Sequence, residues 1–178
     1  MNYIVLGRFQ PLHNGHVILI EHALELAADE GKVIVAIGSA SCQMEPRNPW
    51  TGEERKQMVE AWNDQVEVVL IDDINDPPNW VEHATKIHGE GVLVTSDKQT
   101  AELYRESNWD VLEVELTNRE NFEGWRIRQT AKMLSTVDDF DAIREVLSAS
   151  IPSSIIEWLI ENDALFRLST FQTGVYAG

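Results

Sequence analysis

Five short apolar runs constrain what this chain can fold into. At about 2–6, 33–38, 66–71, 91–95 and 110–115 the sequence is rich in Val, Ile and Leu without strict apolar–polar alternation, as in strands buried on both faces. Helical patterns fill the gaps between them. The stretch 16–30 sets Val17, Ile20, Leu24 and Ala27 on one stripe, the spacing of an amphipathic helix. Thr51-Gly52-Glu53-Glu54 is a capping box that opens a helix running to about Trp62. Asn79-Trp80-Val81-Glu82 reads as a similar start for a helix to about His88, with Pro77-Pro78 blocking extension backwards. A fourth helical pattern covers 100–107.

Strand and helix in alternation predict an α/β fold: a Rossmann-like, doubly wound parallel five-stranded sheet of order 3-2-1-4-5. Three further helical stretches follow at about 125–134, 139–148 and 153–162, the last two separated by Pro152. They form a C-terminal helical part. No linker, repeat or low-complexity segment interrupts the chain. One domain over 1–178 is therefore expected, with a core at 1–120, helices at 121–165 and a tail at 166–178 to which the sequence assigns no role.

Composition narrows the partners. Hydrophobic residues make up 43% of the 178 residues, enough for a packed core. Formal net charge is −16 and pI is about 4.5, which argues against a nucleic-acid-binding face. A small anionic ligand remains compatible, because distant surface charge is screened over about 8 Å at physiological salt. Cys42 is the single cysteine, so no internal disulfide forms. With no secretory-type N-terminus, a cytoplasmic setting is expected. No apolar run approaches the ~20 residues of a membrane span.

The segment Gly7-Arg8-Phe9-Gln10-Pro11-Leu12-His13-Asn14-Gly15-His16 follows the first strand and leads into the first helix. Ligands in such sheets bind beyond the carboxyl ends of the strands, at the switch point between the first and fourth. Gly7 and Gly15 allow close backbone approach, and unpaired helix-start amides near His16 face an anion. His13 and His16 offer ring N–H donors, and Arg8 adds a planar charged fork. Such a set stabilises charge on a transferring phosphoryl group. No Gly-x-x-x-x-Gly-Lys-Ser/Thr loop, Gly-x-Gly-x-x-Gly after a strand, or His-Glu-x-x-His pattern is present.

That segment resembles the His-x-Gly-His signature of the nucleotidyltransferase superfamily. The whole chain resembles the archaeal-type nicotinamide mononucleotide adenylyltransferases. Ile37-Gly38-Ser39-Ala40, the Asn48-to-Arg55 stretch, Asp73-Ile74 with Trp80-Val81, Asn118-Arg119, Gly124-x-x-Ile127-Arg128 and Ile151-Pro152 fall in the family's order. The resemblance implies transfer of AMP from ATP to nicotinamide mononucleotide, giving NAD and pyrophosphate, with Mg²⁺ carried mainly by phosphates and water and no metal-ligating residue to name. It implies that His13, His16, Arg8 and Arg128 are the catalytic set. Gly7, Phe9, Arg119 and Ile127 would complete the ATP site. Ser39, Arg47, Asp73 and Trp80 would form the mononucleotide site.

Asp73 would accept a hydrogen bond from the carboxamide, favouring nicotinamide over nicotinic acid, and Trp80 would stack on the ring. Two readings stand for three of these residues: Trp80 as stacking platform or helix anchor, Asp73 as ligand or loop cap, Arg47 as phosphate contact or solvated side chain. Relatives form higher oligomers, so a homo-oligomer is a compatible assembly. A fused pyrophosphohydrolase domain is not expected, because no Glu-rich box is present.

The chain departs from the family at Glu123 and Trp125, where Ser and Thr are usual, at Arg126, where an acid is usual, and at Asp97-Lys98. Glu123 repels phosphate unless it points away. These departures keep two alternatives in view: transfer to another phosphorylated acceptor such as pantetheine phosphate, and nucleotide sensing without turnover.

Overall fold

A computed structural model describes residues 1–117 and 122–171. Its elements run β1 (Asn2–Gly7), α1 (Asn14–Ala27), β2 (Lys32–Ile37), α2 (Gly52–Trp62), β3 (Glu67–Leu70), α3 (Trp80–His88), β4 (Val92–Thr95), α4 (Lys98–Glu106), β5 (Asp110–Glu113), α5 (Gly124–Leu134), α6 (Phe140–Leu147) and α7 (Ser153–Glu161). Short 3₁₀ turns precede α3 at Pro77–Asn79 and follow α7 at Phe166–Thr170. All strand pairs are parallel and the order is β3-β2-β1-β4-β5, the Rossmann-like arrangement expected from the sequence.

Side chains alternate across the sheet. Val5, Val33, Val35, Ile37 and Val94 enter a large cluster that α1, α2, α5, α6 and α7 complete. Ile4, Ile34, Ala36 and Leu93 point the other way, into a smaller cluster with Val81, Ala84 and Tyr104 from α3 and α4. Burial on both faces explains the unbroken apolar runs.

Local chemistry sets the helix starts. Thr51 accepts from Glu54 N at 3.0 Å while Glu54 accepts from Thr51 N at 2.8 Å, closing the expected capping box. Asp97 caps α4 through Thr100 N at 2.8 Å. Asn79 differs from expectation. Its side chain donates back to Asp76 at 2.7 Å rather than capping α3, because Pro77-Pro78 folds the approach into a 3₁₀ turn. Helix α1 begins at Asn14, ahead of the first apolar position, so His16 lies inside its first turn and His13 is its N-cap. The terminal region also carries order that no periodicity announced. Ala164, Leu165 and Leu168 are buried in the large cluster.

Close packing of β1 on β4 depends on Gly91. A Cβ there would press on Asn2 O and lie 2.6 Å from Ile4 Cδ1. Gly91→Ala is therefore expected to cost about 1–3 kcal/mol through overpacking, read as a lower urea midpoint at unchanged slope.

Candidate active site

The loop from Arg8 to His13 starts at the carboxyl end of β1 and is shaped by two arginines. Arg55, in α2, is fully buried. Its Nη1 donates to Arg8 O at 2.8 Å and Gly38 O at 3.0 Å. Its Nη2 donates to Ser39 O at 2.9 Å and Ala40 O at 3.2 Å, and its Nε to Thr51 O at 3.1 Å. Arg128, in α5, donates through Nη1 to Gln10 O at 2.9 Å. The carbonyls of the residues on either side of Phe9 in the chain, Arg8 and Gln10, are thus each held by an arginine. Phe9 needs that grip, since it sits at φ 50°, a left-handed backbone that costs a non-glycine residue on the order of 1 kcal/mol or more. Ser39, held by the same Arg55, has φ 49°.

Phe9 is buried beneath Gly7, where a Cβ would lie 3.2 Å from the ring. Gln10 exchanges two hydrogen bonds with the Trp50 backbone, donating to Trp50 O at 2.9 Å and accepting from Trp50 N at 3.2 Å. This pairing welds the loop to the start of α2.

The two histidines stack, with ring centroids 3.7 Å apart. Phe9 tilts against His16 at 4.5 Å, and the Phe122 ring lies parallel to His13 at 6.4 Å. Gly15 leaves room for Phe122, whose Cβ would be 2.7 Å from any Cβ added there. The His13 backbone N–H donates to His16 Nδ1 at 3.3 Å. A neutral His16 therefore carries its proton on Nε2, leaving that N–H as its ring donor. His13 Nδ1 is buried with no hydrogen-bond partner. Burial, then the nearby Arg128 charge, lowers the His13 pKa to about 4. Burial, then His13, lowers that of His16 well below the usual value. Both rings are neutral donors at neutral pH.

Arginine charge gathers around this stack. Burial lowers the pKa of Arg128 to about 10, helped by Arg8 and Arg47. Burial and then Arg47 lower that of Arg8, opposed by Asp73. Three cations sensing one another, with Asp73 and Glu45 offsetting only part of their charge at Arg8, make a cradle chemically suited to a polyanion. Glu123 does not spoil it. Its carboxylate pairs with Arg126 Nε at 2.8 Å, and the same guanidinium lies 5.1 Å from the Trp125 ring.

Ser39 follows β2, Asp73 follows β3 and Trp80 opens α3, and the Asp73 carboxylate is felt by Arg8. Asp73 is exposed, with the Cys42 thiol 3.9 Å from its carboxylate. Trp80 is half-buried against the smaller cluster, its ring edge-on to Tyr104 at 6.4 Å. It anchors α3 and keeps part of its surface outward. Arg47 is exposed, and Ile127 is buried in the large cluster behind Arg128. Arg119 lies outside the described residues. Sequence reasoning missed the buried roles of Gln10, Trp50 and Arg55 and the ring of Phe122. Among the described residues no group of three or more His, Cys, Asp or Glu side chains converges to hold a metal, and no helix is long and apolar enough to cross a membrane.

The sequence profile of the cytidylyltransferase-like family matches residues 4–151. A nicotinamide-nucleotide adenylyltransferase of Picrophilus torridus is 32% identical over 134 residues, covering 72% of this chain and 78% of that protein. One of Thermoplasma volcanium is 27% identical over 175 residues, covering 95% of this chain and 91% of that protein. Among solved structures, a bifunctional NMN adenylyltransferase/ADP ribose pyrophosphatase of Francisella tularensis, complexed with AMP and a manganese ion, shares the fold with a TM-score of 0.66 at 22% identity. The match covers 94% of this chain but only 51% of that protein, about half its length.

A histidine kept neutral by the fold makes stability acid-sensitive. As pH falls from 6.5 towards 4, the unfolded chain takes up the His13 proton first. The stability His13 lends is therefore full above 6.5 and is lost over that interval, on the order of 3 kcal/mol. Urea titrations between pH 7 and pH 4 are expected to show the loss, and His13→Gln to flatten it.

Proposed function

The chain belongs to the cytidylyltransferase-like family and, within it, to the archaeal-type nicotinamide-nucleotide adenylyltransferases, and we propose that it transfers AMP from ATP to nicotinamide mononucleotide by direct in-line displacement. It is an enzyme of NAD synthesis. The observation that carries the detailed reading is the convergence of Arg8, Arg128 and the neutral His13–His16 stack at the carboxyl end of β1, with Asp73 in the field of Arg8.

The mononucleotide phosphate, ionised at neutral pH, attacks the α-phosphorus of ATP. The new O–P bond forms as the bond to the bridging oxygen breaks, and pyrophosphate leaves with that electron pair. No proton has to move, so a neutral donor serves better than a general base. His16 donates from Nε2, and His13 adds its ring to the same wall. Arg8 and Arg128 hold the triphosphate and the leaving pyrophosphate. Gly7, Phe9, Ile127 and Arg119 complete the nucleotide site. The protein supplies position and preorganised charge.

A divalent cation fits this chemistry as a passenger on the nucleotide: the cradle offers arginines and neutral imidazoles rather than a carboxylate cage. Mg²⁺ bound by the phosphates would draw charge from the leaving group. The similar Francisella protein was solved with AMP and a manganese ion, which supports divalent-metal use.

On the acceptor side, Asp73 takes a hydrogen bond from the nicotinamide carboxamide and would repel a carboxylate. The outward part of Trp80 stacks on the cationic ring, worth about 1–2 kcal/mol once desolvated. Ser39 and Arg47 flank the mononucleotide phosphate.

Purified protein with ATP, Mg²⁺ and nicotinamide mononucleotide is expected to release pyrophosphate and NAD in equal amounts. Absence of both products sinks the reading. Trp80→Ala is expected to raise KM for the mononucleotide by roughly 5- to 30-fold while leaving KM for ATP nearly unchanged. His16→Ala is expected to lower kcat by about 10²- to 10³-fold, as loss of a preorganised donor does.

A further inference from the structure

A bidentate ion pair outside the cradle ties the end of the described chain to the start of α2. Arg167, in the terminal 3₁₀ turn, forks onto Glu54 with Nη1–Oε2 at 2.6 Å and Nη2–Oε1 at 2.7 Å. Its Nη1 also donates to Pro49 O at 3.1 Å. Both side chains are 23% exposed. One turn earlier, Ala164 O accepts from Trp50 Nε1 at 3.1 Å, and Trp50 is fully buried. The short run Pro49–Thr51 is therefore clipped on one side by the terminal segment.

Its other side is the phosphate loop. Trp50 holds Gln10 by two hydrogen bonds, and Gln10 O holds Arg128. The residue after Glu54 is Arg55, whose guanidinium holds Arg8 O. A helix cap does not need this clamp. The Thr51–Glu54 capping box satisfies the orphan donors of α2 by itself, and a glutamine in place of Glu54 would do the same. A bidentate guanidinium fork adds fixed geometry to a cap that is already complete.

We propose that Arg167 is a positioning residue for ATP, acting through Glu54 and the Pro49–Thr51 run to fix where Gln10 and Arg55 hold the triphosphate arginines. The inference rests on the proposed role of Arg8 and Arg128. The terminal turn thereby belongs to the donor half of the reaction, although no atom of it reaches the cradle.

The test compares Arg167→Ala, Glu54→Gln and the double variant, each at a temperature well below its unfolding midpoint. KM for ATP, KM for the mononucleotide, kcat and the Kd of a non-hydrolysable ATP analogue by calorimetry are measured together. Each single variant is expected to raise KM for ATP and analogue Kd by about tenfold, with KM for the mononucleotide within about twofold. The double variant is expected to be no worse than either single, because one clamp is lost in all three. Arg167→Lys, which keeps the charge without the fork, is expected to recover only part of the affinity. A lowered midpoint with unchanged ATP parameters overturns the proposal, as does strict additivity in the double variant. If Arg167→Ala does not fold, Glu54→Gln, which keeps the cap, decides alone. Should the wild-type protein make no NAD, the calorimetric arm still reads the clamp, so the two failures are separable.

Discussion

One buried guanidinium organises the ligand-facing edge of the sheet. Arg55 lies in the interior, and each of its five N–H donors meets a main-chain carbonyl. Those carbonyls come from the loop after β1, the loop after β2 and the start of α2. A buried cation is costly unless its donors are satisfied, and here oriented peptide dipoles meet that requirement. Burial lowers its pKa to about 10, so it stays charged at neutral pH. Lysine has three donors and cannot span the same carbonyls. The position of Arg8, the left-handed backbone at Phe9 and Ser39, and the entry of α2 all follow from this contact.

The cradle inverts the electrostatics of the whole molecule. A chain of net charge −16 brings Arg8, Arg55 and Arg128 close to the carboxyl end of β1, where burial first and neighbouring arginines second lower their pKa values. On the proposed reading, an anion bound there offsets this mutual repulsion, which favours charge developing on a transferring phosphoryl group. The histidines are suited to the same surroundings, because imidazolium rings stacked 3.7 Å apart beside Arg128 would add repulsion.

The sheet order and the strands were legible because burial on both faces writes itself into composition. The placement of Gly7–His16 between β1 and α1 was legible because the apolar strand run and the helical stripe flank it directly in sequence. The partners of Arg55, Gln10 and Arg167 were not. Arg167 meets Glu54 across 113 positions and Gln10 meets Trp50 across 40, and side-chain contacts with distant backbone leave no period in the sequence. Asn79 misled for a different reason: its type suits a helix cap, but two prolines before it impose a 3₁₀ approach. Glu123 looked hostile to phosphate until its pairing with Arg126, three residues on, was visible.

The two faces of the sheet are unequal. One face shares a large apolar cluster with α1, α2 and the three C-terminal helices. The side carrying Trp80 rests on a small cluster under two nine-residue helices, α3 and α4. Sub-global opening follows such differences in buried apolar contact. Amides of α3 and α4 thus belong to the first cooperative unit to exchange with solvent, while β1 and α1 exchange only on global unfolding. On the proposed reading this places the first opening on the acceptor side, around a donor side that stays assembled, so the thinness of the core there biases the order in which the two nucleotides bind.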